Sequence, residues 1–387
     1  MSTAAASRPV VPAARHVERL TRLAEMLGGE GLDGAIVGVG PDLEYLTGYQ
    51  ATPLERLTCL TIGGPSSEPV LFVPRLELDA ARAGIRPDIR IETWEETDDP
   101  WAAVLDRFAD RDDGDVDILV SDRMWAMHLL HFQERRRGVR WLSMNPLLRE
   151  LRMIKDQDEV ALLRLAGAAA DRVIDQIASG PLVGRTEMDV AAEVRDRLRA
   201  EGHELAQFAI VASGPNAASP HHQASDRVIQ PGEPIVLDIG GTLGGYNSDT
   251  TRTLWVTGGD DANGPTEEFR HLFAVLLAAH GAASAAVRPG VAAETIDQSA
   301  RDIIDGEGYG ENFFHRTGHG IGLEGHEEPY VVAGNRQPLA VGMAFSIEPG
   351  IYLPGRFGAR IEDIVVCGPD GPIVLNNEPR ELRVVAG

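Results

Sequence analysis

Two acidic pairs lie within apolar, strand-like runs of this chain, each pair centred on its own glycine turn, and they constrain the fold more than any other feature. Asp238 and Asp249 stand symmetrically about a point inside the turn TLGG, and Glu348 and Glu362 symmetrically about Gly355. A regular antiparallel ladder would set each pair cross-strand on one sheet face, with Cβ atoms about 5 Å apart. Like charges placed opposite one another are destabilising, and an unpaired carboxylate in IVLDIG or AFSIEPG costs several kcal/mol of desolvation. Either each acid is exposed or paired with an arginine, Arg252 and Arg360 being the candidates, or the four share cations. Two divalent ions would neutralise four carboxylates, and an imidazole would complete a mixed oxygen and nitrogen shell suited to Mn, Co, Fe or Zn. Paired ions roughly 3.5–4 Å apart lower the pKa of a shared water toward about 7, which is hydrolase chemistry.

The acidic hairpins belong to a pattern that occurs twice. Helices expected at about 157–178 and 187–201 precede an irregular segment with His221 and His222, then the strands IVLDIGG and YNSDTTRTLWV. Helices expected at about 266–287 and 293–306 precede a segment with His315, His319 and His326, then the strands MAFSIEPGIY and ARIEDIVVCG. Two helices, a histidine segment and a hairpin, repeated, predict an α+β domain of two pseudo-twofold halves over 151–387. Upstream, VERLTRLAEMLGGEG reads as a helix, and GAIVGV, LTCLTIGG, PVLFVP and VDILVSD read as strands. That alternation predicts a small α/β domain over 15–150. Residues 1–14 read as a flexible tail, and the boundary falls near 146–155, where Asp156 and Glu159 make a capping-box start to the next helix.

A histidine is more often a satisfied loop residue than a ligand, but here five cluster just before the acidic hairpins. Glycines bracket His319, which can allow close approach of backbone to a ligand. We assign His319 to the metal and the other histidines to substrate and proton handling. Cys59 and Cys367 lie far apart with no Cys/His cluster near either, so they predict buried free thiols and no zinc-thiolate site. With 36 Lys and Arg against 59 Asp and Glu, the net charge is −23, which argues against nucleic-acid or anionic-membrane partners. No signal-peptide core or spanning run is evident, which predicts a cytoplasmic protein.

The set LDIGGTLGGYNSDTTRT, HRTGHGIGLEGHEEP, FSIEPGIYLPG and ARIEDIVV resembles the M24-type metallopeptidases: Xaa-Pro aminopeptidases, prolidases, methionine aminopeptidases and creatinase-like enzymes of the pita-bread fold. The resemblance covers about 146–387 closely, and PDLEYLTGY extends it to a creatinase/prolidase-like N-terminal domain. It implies two divalent metal ions, manganese favoured, held by Asp238, Asp249, His319, Glu348 and Glu362, with Asp249 and Glu362 bridging. It also implies His221 and His326 as catalytic histidines, Glu348 as proton shuttle, and His315, Tyr352 and Arg360 as substrate-binding or supporting residues. The implied reaction is attack of a metal-bridging hydroxide on the Xaa-Pro bond of a dipeptide or short peptide, in an enzyme whose relatives are commonly homodimers. Dipeptidase and aminopeptidase both remain open, as does a same-fold enzyme acting on a small non-peptide molecule. The intact ligand set speaks against a metal-free creatinase-like hydrolase and against a non-catalytic binding module.

Overall fold

The computed structural model describes residues 10–63, 67–108 and 116–387, and the chain divides into two compact units, Val11–Arg152 and Met153–Gly387. Most of the expected tail, residues 1–9, lies outside the described residues, as does Gly64 of the strand LTCLTIGG. Ala13 and Ala14, expected in the tail, instead open the first helix after Pro12, because alanine is the best helix former and nothing there interrupts it.

In the first unit the elements run α1 (Ala13–Gly29), β1 (Gly34–Gly38), α2 (Pro41–Thr47), β2 (Cys59–Gly63), β3 (Val70–Pro74), α3 (Leu78–Gly84), β4 (Arg90–Trp94), α4 (Pro100–Leu105), β5 (Val116–Val120), α5 (Ala126–Arg135), β6 (Val139–Ser143) and α6 (Asn145–Met153). The strands form one mixed sheet in the order β4-β3-β2-β1-β5-β6. β1 and β3 are buried along their whole length, which explains their near-continuous apolar sequences.

The second unit opens with α7 (Gln157–Ala178) and α8 (Glu187–Ala200), packed on the strands β7 (Leu205–Ser213), β8 (Glu233–Leu243) and β9 (Tyr246–Val256). The capping box at Asp156 and Glu159 forms with both hydrogen bonds in place. β7 falls in a stretch that the sequence reading left irregular. The second half follows with α9 (Glu267–Ala286), α10 (Ala293–Gly306), β10 (Gly318–Gly320), β11 (Glu327–Val331), β12 (Ala344–Ile347), β13 (Gly350–Leu353), β14 (Phe357–Arg360), β15 (Asp363–Cys367), β16 (Pro372–Val374) and β17 (Arg383–Val385). β17 returns to the first half, giving one sheet in the order β17-β9-β8-β7, while the second half holds β11-β10-β12-β15-β16 and the pair β13-β14. α9 is long and apolar enough to span a bilayer, yet its Phe269, Leu272, Leu276 and Ala279 are fully buried in the core with Phe345 and Val365.

The two hairpins differ from simple ladders in ways that matter for the acids. Leu243 pairs with Tyr246, so the turn is Gly244-Gly245, and both glycines take positive φ (63° and 83°). Only glycine adopts that pair of angles cheaply, and it centres the hairpin one residue later than the symmetric reading. Asp249 therefore faces Gly240, while Asp238 faces Thr251. The two acids are diagonal neighbours on one face rather than directly opposed. In the second hairpin the register does set Glu348 against Glu362, because Ala344↔Val366 and Gly350↔Arg360 share it. The ladder nevertheless breaks there, since Pro349 has no N–H to give. Glu348 N instead donates to Thr317 O and Glu362 N to Thr251 O, which ties this hairpin to β9 of the first half.

Candidate metal centre

The five acidic and imidazole groups, drawn from both halves, converge on one cavity of about 510 Å³. Asp238, Asp249, His319 and Glu362 are all under 10% exposed. Ligand atoms of Asp238, Asp249 and Glu362 lie within 4.8 Å of one another, and so do those of His319, Glu348 and Glu362. His319 Nε2 stands 3.2 Å from Glu348 Oε1 and 3.7 Å from Asp249 Oδ2. Its Nδ1 lies 3.1 Å from the Gly320 carbonyl, which can only accept, so the neutral ring turns an Nε2 lone pair toward the acids. Asp238 Oδ1 and Glu362 Oε1 are buried and accept no hydrogen bond. Oxygen atoms in that state, facing more acceptors, fit a divalent cation and little else.

The glycines around His319 make room for backbone and not for a ligand. A Cβ on Gly318 would meet the Ser346 carbonyl, and one on Gly320 would meet the Glu328 and Glu327 carbonyls. β10 is squeezed between β11 and β12, and that confinement aims His319 into the cavity.

The electrostatics agree with a site built for positive charge. Burial, followed by the charges of Glu362, Asp238 and Glu348, pushes the Asp249 carboxyl well above the usual range. Burial and then Glu348 and Asp238 do the same to Glu362. Burial also raises Asp238, although the Arg360 guanidinium works against it. Burial opposes ionisation of Glu348 too, but His319, His315 and Arg360 outweigh it and hold that carboxyl at about 2.

Arg360 is the one candidate arginine that reaches the paired acids. Its Nη2 donates to Asp238 Oδ2 at 2.5 Å, Nη1 to Tyr352 OH at 2.8 Å and Nε to Thr251 Oγ1 at 3.1 Å. Arg252 turns away and pairs with Asp363 at 2.7 Å. Tyr352 is 1% exposed and does not line the cavity, so of the two roles the resemblance implied, its position suits the supporting one. It sits behind Arg360, and its hydroxyl meets His315 Nε2 at 3.0 Å, so it braces both residues. Burial pushes its phenol up to about 12.

His221, His315 and His326 all line the cavity. The His326 ring lies against His319 at a 36° tilt with centroids 3.8 Å apart, and its Nδ1 accepts from Arg316 Nη2 at 2.9 Å. Burial, then His319 and Arg316, lowers the His326 pKa to about 4, so near neutral pH the ring is uncharged and carries its proton on Nε2. Burial also lowers His315. His222 points elsewhere, to Glu187 at 2.7 Å. Sequence reasoning missed Arg316, Phe208 and Ile210 as cavity residues. Gln207 reaches the cavity from β7 as well, because the register shifts between Ala206 and Phe208, so both parities of LAQFAIVAS line it and no simple alternation marked them.

Residues 161–369 match metallopeptidase family M24, and residues 19–154 match the creatinase/prolidase N-terminal domain. The chain belongs to metallopeptidase family M24. Its second unit has the pita-bread fold of that family, and divalent metal is part of its chemistry. It is 45% identical to the probable dipeptidase PepE of Mycobacterium tuberculosis over 96% of both chains. It is 34% identical to the Xaa-Pro dipeptidase of Lactobacillus delbrueckii subsp. lactis, covering 95% of this chain and 98% of that one. The crystal structure of dipeptidase PepE from Mycobacterium ulcerans superimposes with a TM-score of 0.88 at 44% identity, covering 97% of this chain and 99% of that chain.

Proposed function

We propose that this metallopeptidase hydrolyses the bond preceding proline in Xaa-Pro dipeptides, using two divalent ions held by Asp238, Asp249, His319, Glu348 and Glu362. The observation that carries this reading is the convergence of those five groups on one cavity with two buried oxygens left without hydrogen bonds. The dipeptidase names of the relatives favour a dipeptide over a longer peptide. When bound, the ions supply positive charge that polarises the scissile carbonyl and acidifies the attacking water.

The chain's own residues do the rest. His326 Nε2–H, fixed as a donor because Arg316 occupies Nδ1, hydrogen-bonds the carbonyl oxygen as charge develops on it. Glu348 Oε1 receives a proton from the water and passes it to the leaving nitrogen. Arg360, braced by Tyr352, orients Asp238, and the cavity wall of Phe208 and Ile210 excludes water from one side.

Manganese as the native ion and a homodimer as the working unit are further proposals, supported by the carboxylate-rich donor set and by the resemblance of the N-terminal domain. A cytoplasmic location is proposed on the buried free thiols of Cys59 and Cys367. The test is amino-acid release from Xaa-Pro dipeptides and Xaa-Pro-Xaa tripeptides by EDTA-treated protein with and without Mn²⁺. Cleavage that depends on metal and favours dipeptides is expected. Metal binding without cleavage of any peptide would move the reading to a small non-peptide substrate.

A further inference from the structure

His221 lines the cavity, yet among the described residues no hydrogen bond holds its ring, so its place is set by the backbone on either side. On one side the Pro220 carbonyl accepts from Arg360 Nη2 at 3.3 Å. On the other, His222 Nε2 donates to Glu187 Oε2 at 2.7 Å. Glu187 opens α8, and its side chain is 0% exposed.

One carboxylate gathers the whole segment. Glu187 Oε1 accepts from Ser213 N and Ser213 Oγ, both at 2.8 Å, and from Asn216 Nδ2 at 3.1 Å. Glu187 Oε2 accepts from Ser225 N at 3.1 Å and Ser225 Oγ at 2.7 Å, besides His222. The donors span both ends and the middle of a segment that holds one 3-10 helical turn, Gly214–Ala218, capped by Ser219 N to Asn216 O and followed by the turn contact His222 N to Ser219 O. Burial works against ionisation, but these hydrogen bonds outweigh it and hold the Glu187 carboxyl at about 2. The other half shows the same construction, since buried Asp297 of α10 accepts from Thr317 N and Thr317 Oγ1 beside His315.

We propose that Glu187 is a positioning residue for the reaction, cinching the loop Ser213–Ser225 through both oxygens so that His221 is presented to the cavity in one place. The role requires a carboxylate and not merely a polar side chain of that size. Each oxygen takes one backbone N–H, from Ser213 or from Ser225, and backbone donors cannot rotate away. An amide at position 187 would set its own NH₂ against one of them in either flip, removing the side-chain tie at that end and leaving only the β7–β8 pairing of Ser213 or the Met188 N to Ser225 O bond to hold it.

The test is Glu187→Gln in the full-length protein, read first by amide hydrogen exchange and mass spectrometry. Faster exchange confined to Ser213–Ser225 is expected, with α7, β8 and β9 still protected. Unchanged exchange, or loosening spread evenly over the unit, would overturn the proposal. This arm needs no substrate, so it decides the inference even if the Xaa-Pro reading, on which the role in turnover rests, fails in the wild-type assay. With an active wild type, kcat should fall roughly 10- to 100-fold at unchanged metal content, with KM moving far less. Glu187→Gln should then add nothing to His221→Ala, since both act through one ring. Losses that multiply would show that Glu187 does not act through His221. Should Glu187→Gln not fold, His222→Ala gives the milder version, and His222→Gln, which keeps a donor, should recover most of the lost kcat.

Discussion

Loading metal into EDTA-treated protein should release protons, and the number follows from the crowding of acids in the cavity. Asp238, Asp249, Glu348 and Glu362 share one site with a single contacting guanidinium, that of Arg360. Burial and mutual repulsion push Asp249 and Glu362 well above the usual carboxylate range, while Glu348 stays ionised at about 2. Without metal, the folded chain therefore keeps protons on Asp249 and Glu362 to higher pH than free carboxylates do, and metal must displace those that remain. We expect proton release on metal loading, with affinity rising by about 1.4 kcal/mol per pH unit for each proton displaced. A native pKa above the unfolded value means that the folded chain binds more protons than the unfolded one. The stability of the stripped protein should thus fall as pH rises from the ordinary carboxylate range through those raised values. Metal removes this loss, so the gain in Tm on adding Mn²⁺ should grow as pH rises above the ordinary carboxylate range. Calorimetry at one pH in two buffers of different ionisation enthalpy counts the protons directly. Identical heats in both buffers, with an affinity indifferent to pH, would refute the account of the acidic cluster.

Three further outcomes follow from other contacts. His326→Ala should keep its metal while kcat falls by roughly 10²–10⁴, the range for a positioned proton-handling group, and normal turnover would return the residue to the status of a loop histidine. Arg252 is 3% exposed and donates to the carbonyls of Thr251, Glu362, Glu378 and Pro379 and to the Asp363 carboxylate. Arg252→Met leaves Asp363 Oδ1 and four carbonyls without this donor while Arg380 still holds Oδ2, and should cost about 3–5 kcal/mol in denaturant unfolding, a value that a loss below about 1 kcal/mol would contradict. Gly318→Ala drives a methyl into the Ser346 carbonyl beneath β10, so metal content, measured by atomic emission, should collapse together with activity. Full metal occupancy in that variant would mean that β10 can shift without moving His319.

The candidate ligands stood out in the sequence because acids within apolar strand patterns conflict with burial unless something compensates. The twofold repeat of helix, histidine segment and hairpin was legible for a similar reason, since its period is long and its punctuation is glycine. Register was harder. The choice between a turn centred in TLGG and one on Gly244-Gly245 depends on positive φ at both glycines, which spacing alone does not reveal. The break between Glu348 and Glu362 comes from Pro349 and from two remote partners, Thr317 beside β10 for Glu348 and Thr251 on β9 for Glu362. Glu187 gave no signal, because a glutamate at the first turn of a helix is ordinary there and its six donors arrive from a loop with no periodicity. Strand β7 was missed because its alanines have weak strand propensity. Whether Tyr352 touches substrate or supports the shell was not legible, because its motif position marks the site without saying which side of Arg360 the ring occupies.

The split of the ligands between halves also sets a timetable for the chain as it is made. Asp238 and Asp249 emerge early, but Glu362, which shares one candidate ligand group with them and another with His319 and Glu348, follows Asp249 by 113 positions. At about 5–20 residues per second, synthesis leaves roughly 6–23 s in which the first hairpin can form with its acids facing nothing. During that interval the nascent chain has little hold on a divalent ion, and protonation is its available way of burying them. Metal capture is thereby postponed until the last strands arrive, which makes a loaded site a record that the whole second unit has been translated and closed.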